Sequence, residues 1–327
     1  MPTPSGLYCV PGDFHIDPPV AVPRAIVTHG HSDHARPGHG SVLATAETVE
    51  IIKVRLGAGA AGTFQQIAVG EPVGIGGVTV RLVPAGHILG SAQVVLEHQG
   101  RRAVVSGDYK RAPDPTCAPF ALQRCDLFVT EATFGLPVFR HGSPEREVAR
   151  LLASLAAFPD RAHLVGVYGL GKCQRLIAVL RAAGYDRTIY LHGALLALCD
   201  LYERLGVELG SLAPVPDAAR GALAGNIVLC PPSALKDRWS RRLADPVTAF
   251  ASGWMRVRGR ARQRGVELPL VISDHADWPE LVATIAETGA EEVWVTHGRE
   301  EALVHQITRM GRRGRALALI GRDDEVD

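Results

Sequence analysis

No Cys-x-x-Cys pair occurs among the six cysteines of this chain, at positions 9, 117, 125, 173, 199 and 230. That excludes a cysteine zinc ribbon and a dithiol redox motif, and the scattered thiols read as reduced side chains of a cytoplasmic protein. No apolar run is long enough to span a membrane, and the polar start Met1-Pro2-Thr3-Pro4-Ser5 lacks the apolar stretch of a secretory signal. Aromatic residues are scarce at 6%, and neither repeats nor low-complexity segments occur. A GxxxxGK[ST] loop is absent too, so Gly169-Leu170-Gly171-Lys172 is not a nucleotide-binding P-loop. What remains is a chain of 327 residues rich in Gly and Pro, with room for one large or two ordinary α/β domains.

Charge of one sign is missing only on average. The formal charge is +1, yet residues 138–267 hold 19 Lys/Arg against 11 Asp/Glu, and the rest of the chain holds 16 against 23. Such segregation suggests an acidic region around cations and a basic region facing a polyanion. Within the basic part, Arg256, Arg258, Arg260, Arg262 and Arg264 alternate with other residues. On a strand this spacing places all five guanidiniums on one face, where they can track phosphates. A solvated edge strand protected by charge is the alternative.

The densest chemistry is His29-Gly30-His31-Ser32-Asp33-His34, which follows the apolar, strand-like run Ala25-Ile26-Val27-Thr28. His29 and His31 can close on one ion, while Asp33 and His34 point to a neighbouring one. Nitrogen and oxygen donors without thiolate suit zinc, manganese or iron.

Other polar residues also end apolar runs. Strand patterns cover 78–83, 93–97, 102–106, 126–130, 163–168, 226–230, 268–273 and 292–296. Helical patterns fit 44–56, 144–157, 172–183, 194–205, 278–288 and 300–312. His87, Asp108 and Glu131 end strands in the first part, and His275 and His297 do so near the C-terminus. The middle alternates strand and helix as a parallel sheet does. Lys172 opens a helix after a Gly-rich turn, a place suited to an anion; a surface lysine is the alternative. Ser273 can donate to a substrate phosphate or cap a strand end.

Three phrases, His29 to His34, Gly86-His87-Ile88-Leu89-Gly90-Ser91 and Ser106-Gly107-Asp108, resemble successive motifs of the metallo-β-lactamase superfamily. Thr130-Glu131-Ala132-Thr133-Phe134-Gly135, Ser273-Asp274-His275 and Thr296-His297-Gly298 resemble the further motifs of its β-CASP nucleases. Asp13-Phe14-His15-Ile16-Asp17-Pro18, Ala251-Ser252-Gly253-Trp254-Met255 and Ser273 to Trp278 are similar to bacterial DNA-ligase-associated exonucleases. The resemblance implies an α/β fold in which an αββα sandwich, residues 1–137 and 268–327, is interrupted by a β-CASP α/β domain at 138–267.

The same resemblance implies two divalent ions. His29, His31 and His87 would hold the first, Asp33, His34 and His297 the second, and Asp108 would bridge them. It also implies that water attacks a phosphodiester while His275 protonates the leaving oxygen, oriented by Glu131, with Asp17 steering a ligand histidine. Lys172, Ser273, Arg256, Arg258 and Arg260 would contact substrate. The implied activity is a 5′-end DNA exonuclease in repair, associated with an ATP-dependent ligase and a helicase, with DNA as its partner and no membrane. RNA is the first alternative, because RNA-processing members carry His where His297 stands. A small-molecule metallohydrolase and an inactive nucleic-acid binder complete the alternatives.

Overall fold

The computed structural model describes residues 1–216 and 223–317. The chain divides into two compact units, one comprising Met1–Phe139 with the chain from His275 on, the other Arg140–Asp274. Among the described residues no helix is long and apolar enough to cross a membrane, and the six cysteines are free thiols.

The first unit opens with β1 (Pro2–Thr3), β2 (Gly6–Cys9), β3 (Phe14–Ile16), β4 (Arg24–Ile26), β5 (His39–Ala44), α1 (Ala46–Leu56) and β6 (Ala61–Gln66). These six strands form one sheet in sequence order. Helix α1 starts two residues later than its periodicity predicts, because Ala44 completes β5 and the Thr45 hydroxyl caps the helix by accepting from Thr48 N–H. Next come β7 (Val73–Ile75), β8 (Val78–Pro84), β9 (Ala92–His98), β10 (Arg101–Val105) and β11 (Leu127–Ala132).

The second unit contains α2 (Pro144–Ala157), β12 (His163–Gly166), α3 (Lys172–Ala182), β13 (Ile189–Leu191), α4 (Gly193–Arg204), β14 (Leu212–Pro214), β15 (Ile227–Cys230), β16 (Val247–Ala251), α5 (Arg258–Arg264) and β17 (Leu268–Leu270). Its strands form a six-stranded sheet, order β14-β13-β15-β12-β16-β17, in which every pairing is parallel. Ile227-Val228-Leu229-Cys230 is buried throughout, as expected of a parallel strand covered on both faces. Two expectations fail here. The strand beginning at Leu268 pairs with β16, so it closes this sheet instead of opening the return to the first unit. The alternating arginines are helical, not extended: Arg256 ends a 3-10 turn, and Arg258 to Arg264 form α5, stopped by Gly265 at φ +60°. The run Arg258-Gly-Arg-Ala-Arg-Gln-Arg264 lacks the β-branched and aromatic residues that favour a strand, whereas Arg, Ala and Gln are good helix formers.

The chain returns to the first unit with α6 (Trp278–Thr288), β18 (Glu292–Gly298), α7 (Glu300–Arg309) and β19 (Arg313–Ala316). Helix α6 has the predicted bounds because Asp277 and Glu280 form a reciprocal capping box. Strands β18 and β19 complete a seven-stranded sheet, order β19-β18-β11-β10-β9-β8-β7. Three apolar layers hold the unit together. Ile26 and Leu43 meet Val80, Leu82, Val94 and Val105 between the sheets. Val42 and Val27 pack on Val49 and Ile52 of α1. Val104, Phe128 and Val293 pack on Leu281, Ile285, Leu303 and Ile307 of α6 and α7. The unit is thus a four-layer αββα sandwich. Alternation does the sorting: Val104 faces the helices and Val105 the other sheet, as period two requires.

Candidate metal centre

The loops after β4, β8 and β10 and the C-terminal end of β18 bring seven polar side chains of the first unit together. Potential ligand atoms of His29, His31, His87 and Asp108 lie within 4.8 Å of one another, as do those of Asp33, His34 and His297. Asp108 links the groups, its Oδ2 being 3.3 Å from His29 Nε2 and 3.3 Å from His34 Nε2. His31 Nδ1 faces His87 Nε2 at 3.0 Å and His29 Nε2 at 3.2 Å. In the second group, Asp33 Oδ2 lies 3.1 Å from His297 Nε2 and 3.5 Å from His34 Nε2, and the rings of His34 and His297 stack.

Backbone geometry makes this convergence possible. Gly107, at φ +56°, sits so close to Thr28 that a Cβ there would lie 2.7 Å from Thr28 Oγ1. Only glycine allows the Asp108 loop to approach the β4 loop this closely. His297 itself adopts φ +63°, uncommon for a residue with a side chain, within the irregular register between β11 and β18, where pairing passes from Val295 to Gly298.

Behind the ligand set, Asp17 organises two of the rings. Its Oδ2 accepts from His34 Nδ1 at 2.7 Å and from the Thr28 hydroxyl at 2.7 Å, while its Oδ1 accepts from Thr28 N–H at 2.8 Å. The Thr28 oxygen in turn lies 3.0 Å from His29 Nδ1. In its neutral form each imidazole therefore keeps its proton on Nδ1 and directs Nε2 to the centre, the tautomer a ligand needs. Asp17 does contact a ligand-type histidine; Thr28, a residue the motif reading passed over, relays it to the second.

Electrostatics separates the two histidines. Burial and the neighbouring His34 push His29 down to about 4, favouring neutral imidazole. Burial also opposes charge on His34, but Asp108, Asp33 and Asp17 outweigh it and raise that ring to about 10. Despite burial, His34 and His297 hold the Asp33 carboxyl well below its usual range, and His34 and His29 do the same for Asp108.

The residues fit a pair of divalent ions. His34 Nε2 and Asp108 Oδ1 are buried with no hydrogen-bond partner. Ring nitrogens facing each other at 3.0 and 3.2 Å cannot all be served by protons, whereas one cation satisfies several lone pairs at once. The donor set is all nitrogen and oxygen.

Glu131 and His275 stand beside this cluster. Glu131 Oε2 lies 3.1 Å from His275 Nδ1, and Oε1 accepts from Tyr109 N–H at 2.8 Å. The His275 ring is buried at 3% exposure, 4.6 Å from the ring of His87. Lys110, another residue the sequence reading missed, is 6% exposed; its ammonium donates to the His275 carbonyl at 3.1 Å and to Glu280 at 3.2 Å. A lysine after Gly107-Asp108 carried no distinguishing signal, although the Asp277-x-x-Glu280 capping pattern was readable.

The remaining predicted residues belong to the second unit. Lys172 is no surface lysine: it is 2% exposed, 3.1 Å from Asp274 Oδ1 and 4.4 Å from the centre of the Tyr168 ring. Burying an ammonium requires such a partner. Ser273 is also buried. Arg256 and Arg258 are exposed, whereas Arg260 folds its guanidinium over Trp254 at 3.8 Å.

No protein-family model matches the chain. A protein of Opitutus terrae named "probable DNA ligase" is 27% identical over 329 residues, covering 98% of this chain and 31% of that protein. Ribonuclease TTHA0252 of Thermus thermophilus is 28% identical over 57% of this chain and 50% of its own length. An endoribonuclease, ysh1, of Emericella nidulans is 32% identical over 32% of this chain and 12% of its own length. The chain therefore matches half or less of the length of each of these relatives, two of which are named as ribonucleases and one as a DNA ligase. A crystal structure of a protein of unknown function from Enterococcus faecalis superposes with a TM-score of 0.59 at 14% identity, covering 89% of this chain and 78% of that one, a likeness of fold.

Proposed function

We propose that this chain hydrolyses phosphodiester bonds of nucleic acid, trimming single-stranded DNA from its 5′ end during repair. The observation that carries the reading is Asp108 Oδ2 set 3.3 Å from a histidine of each ligand group, beside the buried His275–Glu131 pair. The ribonuclease and endoribonuclease relatives support cleavage of nucleic acid. Support for DNA and for a ligase partner comes from the Opitutus protein, in which a segment matching 98% of this chain lies within a polypeptide named as a ligase.

In this proposal His29, His31, His87 and Asp108 hold one divalent ion, and Asp33, His34, His297 and Asp108 the other. Bound there, the ions supply a water of lowered pKa and neutralise charge on the phosphate. Asp17 and Thr28 keep the His34 and His29 rings turned inward. His275 gives the proton from Nε2 to the leaving oxygen, while Glu131 accepts from its Nδ1 and stabilises the charged ring. Lys110 and Glu280 hold the His275 backbone in place.

RNA is the second reading, favoured by the ribonuclease relatives and by His297 in the ligand group. End-labelled DNA and RNA strands, incubated with purified protein and zinc, manganese or iron, decide between them. Shortening of single-stranded DNA from the 5′ end, abolished by chelator, is expected. Faster cutting of RNA transfers the proposal to RNA. Absence of bound metal together with absence of cleavage overturns it.

A further inference from the structure

The arginines of α5 are not equivalent. Two residues along a helix turn a side chain by about 200°, so Arg258 and Arg262 share one face while Arg260 and Arg264 share another. Arg260 and Arg264 turn inward, stacking on Trp254 at 3.8 Å and Phe250 at 4.6 Å. Arg256, Arg258 and Arg262 are exposed.

A second basic segment is anchored beside them. Leu235 and Phe250 both crowd Gly166, their nearest atoms 2.4 and 3.1 Å from where a Cβ would lie. Lys236 then brings its Nζ within 3.2 Å of the equivalent point on Gly265, the residue that ends α5. Arg238, Arg241 and Arg242 follow, exposed, around a half-buried Trp239 whose ring lies 4.5 Å from His192.

Compensating acid is scarce. Residues 236–264 contain nine Lys/Arg and only two Asp. Asp237 accepts from the backbone N–H of Trp239 at 2.6 Å, and Asp245 pairs with Arg161 at 3.3 Å. This much exposed positive charge with so little matching acid calls for a polyanion. The indole narrows the choice, because a base already stacked in a duplex gains little from an aromatic platform, while an unpaired base gains much.

We propose that α5 and the segment 236–242 form one surface that binds single-stranded nucleic acid. Arg258, Arg262 and Lys236 hold phosphates there, and Trp239 stacks on an unpaired base. This rests on the nuclease reading, but it assigns the strand to a defined face and removes Arg260 from the contact.

The test is fluorescence anisotropy of a labelled 20-nucleotide oligothymidine and a 20-base-pair duplex, measured in chelator across a salt series so that cleavage plays no part. Replacing both Arg258→Ala and Arg262→Ala should reduce the slope of log K against log salt by about 1.4, at roughly 0.7 per phosphate contact on a single strand. Trp239→Ala should weaken single-strand binding about tenfold, leaving the salt slope and duplex binding unchanged. Trp239→Phe should retain most of the affinity, and it serves as the test should the Ala variant fail to fold. An unchanged salt slope in the double variant overturns the surface, as does equal loss on single strand and duplex for the tryptophan variant. Cleavage by the wild-type protein with metal restored reports separately on the nuclease reading, which survives if DNA is cut while the variants bind normally.

Discussion

The two units handle charge in opposite ways. In the first, carboxylates and imidazoles turn inward and neutralise one another at 3.1 to 3.8 Å in buried or half-buried positions. In the second, the cations of 236–264 mostly turn outward, with the nearby acids already engaged. Inward convergence builds a preorganised site of fixed geometry, because each group is held by its partners and burial raises the cost of leaving any unmatched. Outward dispersal builds a surface whose partner must bring the missing charge. The acidic and basic halves of the sequence thus correspond to two different physical tasks.

The sharpest break in this comparison is Asp108→Ala. It removes the oxygen shared by the two ligand groups and leaves His34, raised to about 10, without one of the three carboxylates that hold it charged. Cleavage is expected to fall to background. Wild-type protein should be stabilised by zinc or manganese, by about 3–4 kcal/mol at 100 to 1,000 times the dissociation constant, whereas the variant should lose most of that gain. Calorimetry with and without chelator checks both halves. Wild-type unfolding that ignores metal would remove the centre from the account.

Next in size is His275→Ala. Its ring is held by Glu131 at 3.1 Å. Although His275, Glu131 and Asp108 bring potential ligand atoms within 4.8 Å of one another, His275 serves in this proposal as the acid and not as a ligand. Both metals should remain bound by elemental analysis while cleavage slows by about 10²–10⁴-fold, the usual worth of general acid catalysis. A substrate with a better leaving group should recover much of the loss. Loss of one metal equivalent in this variant would instead make His275 a ligand.

How far these contrasts could be read in advance differs between the units for a physical reason. Candidate ligands of the first unit sit at or just after strand ends, where an apolar run stops near a polar residue, so His87, Asp108 and His297 are legible by position. Helices announced by capping residues, such as Ser143-Pro144 before α2 and Asp277 before α6, had predictable starts. Asp17 and Thr28 act across an 11-residue gap through one hydroxyl, and Lys110 reaches a carbonyl 165 positions away. No local pattern encodes such contacts. Alternating arginines misled for a different reason: an every-second-residue pattern suits a strand only if the intervening residues face a core. Here they are Val257, Gly259, Ala261 and Gln263, which offer too little apolar bulk, and the chain coils so that Arg260 and Arg264 cover Trp254 and Phe250 instead.

That coiling supplies the smallest and most selective prediction. If α5 were a flat row of phosphate contacts, Arg260→Ala and Arg258→Ala would weaken binding alike. In the helix they part company. Arg260 lies 3.8 Å over the indole of Trp254, an arrangement worth about 0.5–1 kcal/mol where partly exposed. Arg260→Ala should therefore lower the unfolding free energy by about that amount while leaving the salt dependence of oligonucleotide binding unchanged. Arg258→Ala should do the reverse, reducing the salt slope by about 0.7 with little effect on stability. Denaturant titration and anisotropy on the two single variants separate the cases. Equal loss of binding from both would restore the extended row of arginines, and with it a different local fold for 256–264.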